Sequence, residues 1–280
     1  MRNLQKSFLY EIGNTKVISI IDRTRPIAYN DDSIATLRKI IRNTGARALP
    51  ILDRNSGNFL GVINRSDVLI VSSTKTNATS SSILKEHLLE INSNYTIFET
   101  LNLMFKYDLW EIPILEGKKY IGLVSISDIV KLLFNKAKDY LKNINAENYM
   151  TKEPITVNLE DPISKIWKKM MEYKYAGFPV VNDKEKLTGI ITQLDLIKKG
   201  YTRIHLESES GVKNQTKVKD AMTYTVIYGY PWSTLYEISI PIVKKDYGRI
   251  PIVSSENDKK VVGIIDREDI AKVIIKGDQI

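Results

Sequence analysis

The chain has 280 residues, 43% of them hydrophobic, enough for one large domain or two ordinary ones around a buried core. It has no cysteine, which excludes disulfides, zinc–thiolate sites and thiol catalysis. The net charge of +8 divides into +6 for residues 1–145 and +2 for the rest, a modest basic excess that suits anionic ligands without the like-charge blocks of a nucleic-acid tail.

The N-terminal MRNLQKSFLYEIGNTK has no uninterrupted apolar run of the secretory kind, and no stretch of about 18 apolar residues follows. A cytoplasmic protein without membrane insertion is expected. Asn64, Asn77, Asn94 and Asn214 match the glycosylation sequon, and without a leader they read as chance matches. The first helical stripe is Ile34, Leu37, Ile40 and Ile41. ALPILD from Ala48 and LGVINRSDV from Leu60 follow, separated by the turn-forming DRNSGN, and read as a β-hairpin. Ser72–Ser82 is a polar low-complexity stretch, read as a mobile linker.

The same succession then returns. Ile97, Leu101, Met104 and Phe105 form a helical stripe, EIPILE and IGLVSISDI a hairpin, and SDIVKLLFNKAKDYLKNI a second helix. A third copy starts with the extended EPITVN. Asp161 is placed to cap its helix and Pro162 to open the first turn, with Ile163, Ile166, Trp167, Met170 and Met171 on one face. GFPVVN and TGIITQLDL make its hairpin. A second linker is expected over 206–217. In the fourth copy Pro241 falls inside the helix expected over STLYEISIPIVKK and should kink or shorten it. RIPIVS and VGIIDREDI complete that copy. The expected organisation is therefore repeats over 1–71, 83–145, 146–205 and 218–280, with linkers at 72–82 and 206–217. Each repeat reads β-α-β-β-α.

Each repeat ends its hairpin on Gly, two aliphatics, a polar residue, two variable positions and Asp. The aspartates are Asp67, Asp128, Asp195 and Asp269, and the polar residues Asn64, Ser125, Thr192 and Asp266. Thr-x-x-Asp between strand and helix is close to a capping box, in which the hydroxyl accepts from the third helical N–H. The same helix start offers free N–H groups and a partial positive charge to an anion. A carboxylate there can accept from the two hydroxyls of a ribose, and the glycine lets a flat base approach. Capping explains an acid, but not why it is Asp four times.

The unit resembles the cystathionine-β-synthase (CBS) domain, with repeat 3, from YMTKEPITVN through TGIITQLDL, the nearest match. The likeness spans roughly residues 16–277 and implies an α/β fold of four CBS repeats paired into two Bateman modules. It implies adenine nucleotides or S-adenosylmethionine, or sometimes nucleic acid, in clefts between paired repeats. It further implies that Asp195 and Asp128 hold ribose, with Thr192 and Ser125 beside them. Thr151 faces phosphate and the backbone of Thr156 meets adenine. Arg47 and Arg249, just ahead of Pro50 and Pro251, are placed as phosphate-binding cations. Asp67 with Asn64, and Asp269, mark the other two sites. Asp266 sets a second carboxylate at the fourth, which should repel phosphate unless Arg249 or Arg267 compensates. Fewer than four occupied sites are expected, those at Asp195 and Asp128 the best.

The two histidines, His87 and His205, stand alone, and no nucleotide-binding glycine loop, metalloprotease or nucleophile-elbow motif is present. The expectation is a regulatory or sensor protein, not an enzyme, with an adenine nucleotide such as AMP, ADP or ATP as ligand. It would form a homodimer or act on a regulated protein. The alternative is an interaction protein with degenerate clefts that binds a protein partner or nucleic acid.

Overall fold

The computed structural model describes residues 2–70, 77–84, 89–201 and 216–278. In chain order these form α1 (Arg2–Gly13), β1 (Ala28–Tyr29), α2 (Ile34–Thr44), β2 (Ala48–Leu52), β3 (Phe59–Asn64), α3 (Arg65–Ile70) and α4 (Ser80–Ile83). Then come α5 (Ile97–Tyr107), β4 (Glu111–Glu116), β5 (Lys119–Ser125), α6 (Ile126–Lys136), α7 (Lys138–Leu141), β6 (Thr151–Lys152) and β7 (Val157–Asn158). The chain continues with α8 (Ile163–Glu172), β8 (Gly177–Val181), β9 (Leu187–Thr192), α9 (Gln193–Lys198) and α10 (Val218–Ala221). It ends with α11 (Leu235–Lys244), β10 (Arg249–Val253), β11 (Val261–Asp266) and α12 (Arg267–Asp278).

The four expected hairpins are all present and antiparallel: β2–β3, β4–β5, β8–β9 and β10–β11. Each carries a bulge in the same place, at Ile51/Leu52, Ile114/Leu115, Val180/Val181 and Ile252/Val253. The strand ahead of the first helix is short and parallel to the hairpin, at β1 and β7. In repeats 2 and 4 it shrinks to single bridges, Ile91–Ile114 and Gly229–Ile252.

The helical stripes are core, as their spacing requires. Leu37, Ile41, Leu101, Ile163 and Ile166 are fully buried. Met171, at the margin of its stripe, is exposed instead. Helix α11 runs through Pro241 to Lys244 at ten residues, the same length as α8, so the expected shortening does not occur. Proline there removes one helical bond, to the carbonyl of Glu237, and the helix bonds on either side remain. Pro162 is itself the N-cap of α8. Asp161 accepts from Asn158 N–H at 3.1 Å rather than capping the helix. The first N–H of α8, on Ile163, is already taken by the Thr216 carbonyl at 3.0 Å.

The chain divides into two compact units, one of Met1–Thr24, Leu88–Pro154 and Ile227–Ile280, the other of Arg25–His87 and Ile155–Val226. The first unit has one core holding Leu101, Ile129 and Leu133 of repeat 2 with Ile238, Ile242, Ile270 and Ile274 of repeat 4. Leu9 and Ile12 of α1, a helix the sequence reading did not place, belong to that core. The second unit packs Leu37, Ile41 and Val68 of repeat 1 with Ile166, Met170, Leu196 and Ile197 of repeat 3. Helices of alternate repeats thus share a core.

Consecutive repeats are joined in another way, by exchanging the segments that lead into them. In the first unit, Lys16 of the repeat 1 lead bridges Thr96 of repeat 2, and Asn145 of the repeat 3 lead bridges Thr234 of repeat 4. Strand β6 of the repeat 3 lead pairs with β11. In the second unit, Thr79 of the repeat 2 lead bridges Ser33 of repeat 1, and Lys217 of the repeat 4 lead bridges Pro162 of repeat 3. The expected linker over 72–82 is corrected accordingly. Residues 72–76 lie outside the described residues, but Thr79–Ser82 are packed. Ser80 N–H donates to the Asp32 carbonyl at 2.8 Å, Ser81 Oγ to the Asn30 carbonyl at 2.8 Å, and Ser80 is fully buried. Small hydroxyl side chains serve here because Ser80 and Ser81 Oγ can donate to the Asp32 and Asn30 carbonyls, which lie ahead of α2 and outside its own hydrogen bonds. Of the second expected linker, 206–215 lies outside the described residues, and so do His87 and His205.

Candidate functional site

The Gly-h-h-polar-x-x-Asp device places its aspartate in the first turn of a helix in every repeat. The carboxylate accepts the N–H of the motif's polar residue at 2.9 Å in Asn64, 2.9 Å in Ser125, 2.8 Å in Thr192 and 3.1 Å in Asp266. Ser125 and Thr192 complete reciprocal capping boxes. Capping is thus part of the motif's role. Two other helices of this chain are capped by Thr with Glu, at Thr96–Glu99 and Thr234–Glu237. Glutamate would therefore serve for capping, and the four aspartates call for a further cause.

Repeat 3 shows one. Asp195 is half-buried, whereas Asp67, Asp128 and Asp269 are 7%, 3% and 5% exposed. Asp195 Oδ2 accepts from Thr192 N–H and from Thr192 Oγ1 at 2.6 Å, and Oδ1 accepts from Thr223 Oγ1 at 3.1 Å. Thr223 belongs to the exchanged lead of repeat 4 and is itself exposed. A carboxylate with two hydroxyls at a helix start, open on one side, can accept hydroxyls of a diol on its remaining lone pairs. The sequence reading missed Thr223. The available signal was the Met222-Thr223 pair, which echoes Met150-Thr151.

Thr151 lies elsewhere than expected. It sits in β6, opposite Ile264 of β11, and so beside the helix start of repeat 4, not that of Asp195. Thr223, opposite Ile190, holds the corresponding place in repeat 3. Thr156 is half-buried just ahead of β7, in the same unit as Asp195. The motif glycine also takes on another meaning. A Cβ on Gly189 would come within 2.6 Å of Met222 Sδ and 3.0 Å of the Thr223 carbonyl. On Gly263 it would meet Met150 Sδ at 2.4 Å, and on Gly122 it would meet Ile21 Cδ1 at 2.5 Å. The glycine makes room for the exchanged lead, where the sequence reading had placed a flat base.

The remaining sites differ in charge. In repeat 4, Asp266 Oδ1 accepts from Glu268 and Asp269 N–H, so a carboxylate caps the helix in place of a hydroxyl. Burial, and then the charge of Asp266, push the Asp269 carboxyl up to about 6, against the pull of Lys272 at 3.1 Å. Arg249 lies directly across the ladder from Asp266, which places a cation against the extra acid. Arg267 is 1% exposed and donates to Asp246 Oδ1 at 2.6 Å. In repeat 1, Arg65 similarly donates to the Gly45 and Ala46 carbonyls at the end of α2. Arg47 is half-buried ahead of β2, and its carbonyl receives Arg65 N–H at 2.7 Å. In repeat 2, Asp128 and Ser125 are both almost fully buried, and Glu111 faces Ser125 across the ladder. Among the described residues no group of three or more His, Asp or Glu could hold a metal ion. No helix among them is long and apolar enough to cross a membrane.

Comparison with known proteins places this geometry. Uncharacterized protein MJ1225 of Methanocaldococcus jannaschii is 23% identical over 266 residues, which cover 93% of this chain and 84% of that one. The crystal structure of MJ1225, described as a candidate archaeal homologue of g-AMPK, superposes with a TM-score of 0.80 at 20% identity, over 92% of this chain and 99% of that one. That likeness is one of fold. L-aspartate semialdehyde sulfurtransferase of the same organism is 30% identical over 115 residues, 41% of this chain but only 21% of that enzyme. The chain therefore spans about a fifth of that relative's length. The family model of the CBS domain matches four times, over residues 17–73, 81–135, 146–201 and 218–276. These four stretches coincide with the four hairpin-and-helix repeats, and the chain belongs to the CBS domain family.

Proposed function

We propose that this chain is a non-catalytic regulatory protein that binds an adenosyl ligand (AMP, ADP, ATP or S-adenosylmethionine), with the principal site at the start of α9. The observation that carries the reading is the Asp195 carboxylate: half-buried, flanked by the hydroxyls of Thr192 and Thr223, and open where its three counterparts are closed. The ribose diol would donate to Asp195. The N–H groups of Thr192, Gln193 and Asp195 are already taken within the protein, so the helix start would favour the phosphates or the carboxylate of the ligand through its partial positive charge. Membership of the CBS family supports an adenosyl ligand in this place. Asp128, expected to rank with Asp195, would have to be uncovered before it could bind. The site at Asp269 is the least suited to an anion, because a second carboxylate stands beside it.

The test is calorimetric titration of the four ligands into wild type, Asp195→Asn and Asp128→Asn. A carboxylate accepting from hydroxyls contributes about 1.5–3 kcal/mol per hydrogen bond, so Asp195→Asn should weaken binding roughly ten- to a hundredfold. Asn keeps the shape and most of the cap. If wild type binds none of the four below about millimolar (about 4 kcal/mol of binding energy), or if Asp195→Asn binds as tightly as wild type, the motif only starts helices.

A further inference from the structure

Repeat 4 carries a second feature that its helix start does not use. An open cavity of about 440 Å³ lies between the segment Ile227–Thr234 and α11. Tyr228, Tyr230 and, in the turn that follows them, Trp232 lie on its wall. Tyr230 and Trp232 stack at 5.0 Å with rings 2° from parallel, and Tyr228 meets Tyr230 edge-on at 5.9 Å. Trp232 is nonetheless 59% exposed, a large aromatic surface left to solvent.

The polar side chains of the cavity are hydroxyls and one carboxylate. Among the described residues, Glu237 is the only charged one lining it, in a chain with a net charge of +8. Its Oε2 accepts from Thr234 N–H at 2.8 Å, which fixes the carboxylate at the cavity edge. Pro241, also on the wall, has no N–H to give the Glu237 carbonyl, so the helix cannot supply that acceptor's usual partner. Burial, with Tyr228 and Glu256 nearby, holds the Tyr230 phenol above its ordinary pKa, so the phenol stays neutral and Glu237 supplies the charge of the lining. The Tyr228 ring already attracts a cation: Lys259 Nζ lies 5.6 Å from its centroid. Aromatic faces and carboxylates without a lining cation repel phosphate and favour positive charge.

We propose that this cavity is a binding site for a small organic ammonium ion, held by cation–π contact with the Tyr228–Tyr230–Trp232 wall and by charge with Glu237. The volume lies within the range of small-molecule pockets. The site is independent of the adenosyl reading, since Asp195 lies in the other compact unit.

The probe is choline, titrated calorimetrically into the full chain, with its uncharged isostere 3,3-dimethylbutanol as control. Saturable choline binding is expected, with the isostere at least about tenfold weaker. Trp232→Leu removes an exposed ring and Glu237→Gln keeps the cap, so both should fold, as circular dichroism and melting would verify. Each should weaken choline about tenfold or more, while Asp195→Asn leaves it unchanged. Absence of saturable choline binding overturns the proposal, and so does equal binding of the isostere, or wild-type affinity in Trp232→Leu. Binding of single-stranded oligonucleotide at Trp232 in place of choline overturns it in favour of base stacking.

Discussion

Repeats 3 and 4 start their last helices with the same backbone device and end with opposite electrostatics. In repeat 3 a threonine caps, Asp195 stays half-buried, and the exchanged Thr223 donates to it. In repeat 4 an aspartate caps, Asp269 is 5% exposed, and its carboxyl is pushed up to about 6. Burial first, and then a carboxylate in place of a hydroxyl at the motif's polar position, turn a site that can welcome a diol and an anion into one whose aspartate is a raised acid. A repeat can thus keep its fold while its chemistry is switched, because the cap needs only an acceptor whereas a ligand needs the right charge.

The contrast can be broken most forcefully at the first helical residue. Repeat 4 starts α12 on buried Arg267 paired with Asp246, where repeat 3 starts α9 on Gln193, which is neutral and 9% exposed. Asp246→Ala removes one acceptor from buried Arg267 and, discounted for the 64% exposure of Asp246, should destabilise the protein by about 2–3 kcal/mol. Arg267→Met should cost much less. Urea unfolding of both variants decides it, and equal losses would show that Arg267 acts through packing alone.

The pH dependence comes next in size. The Asp269 carboxyl titrates near 6 when folded and near the ordinary aspartate value of 3.8 when unfolded. The folded state therefore holds the extra proton between those values. The contribution is fully present below about pH 4 and is lost as pH rises through 6. Asp269→Asn removes this term, so its stability relative to wild type should climb by roughly 2–3 kcal/mol between pH 4 and 7. Parallel pH profiles for Asp269→Asn and wild type would mean that Asp269 is not a raised acid.

The glycines test what the two repeats have in common. Gly189→Val and Gly263→Val each drive a side chain into the exchanged lead, at Met222 and Met150. Each should cost about 1–3 kcal/mol of stability. Only Gly189→Val should also impair adenosyl binding, since only there does the lead deliver a hydroxyl to a half-open aspartate. If both variants bind alike, the comparison of the two sites fails. The smallest effect belongs to Thr223→Val. Loss of one exposed hydrogen bond should change stability by no more than about 1 kcal/mol and ligand affinity by severalfold; an unchanged affinity would remove Thr223 from the site.

Much of the architecture could be read from local pattern. Proline followed by two aliphatics, a turn, and glycine before two more could only be a hairpin, since each arm is too short and too aliphatic for a helix. The apolar stripes fell on helix faces because the backbone angles and i→i−4 hydrogen bonds of the α-helix fix 3.6 residues per turn. The aspartates were legible as helix starts for the same reason: three residues separate a cap from the acid that answers it. Pro241 did not shorten its helix, because one missing N–H costs a single bond in a helix whose buried face, Leu235, Ile238 and Ile242, holds it.

Sequence by itself thus determined the repeats, the hairpins, the core faces and the capping aspartates, all of which depend on residues within a few positions of one another. Tertiary structure alone decided which partners those elements meet. Thr223 reaches Asp195 from 28 residues away, Arg267 reaches back 21 residues to Asp246, and Met222 fills the space above Gly189. It also decided that repeat 1 shares a core with repeat 3 and repeat 2 with repeat 4. The physical reason is that burial is indifferent to sequence order. Each helix face must be covered by some apolar surface, and four repeats with similar apolar stripes offer four comparable surfaces. The choice among them rests on where the exchanged leads carry the chain.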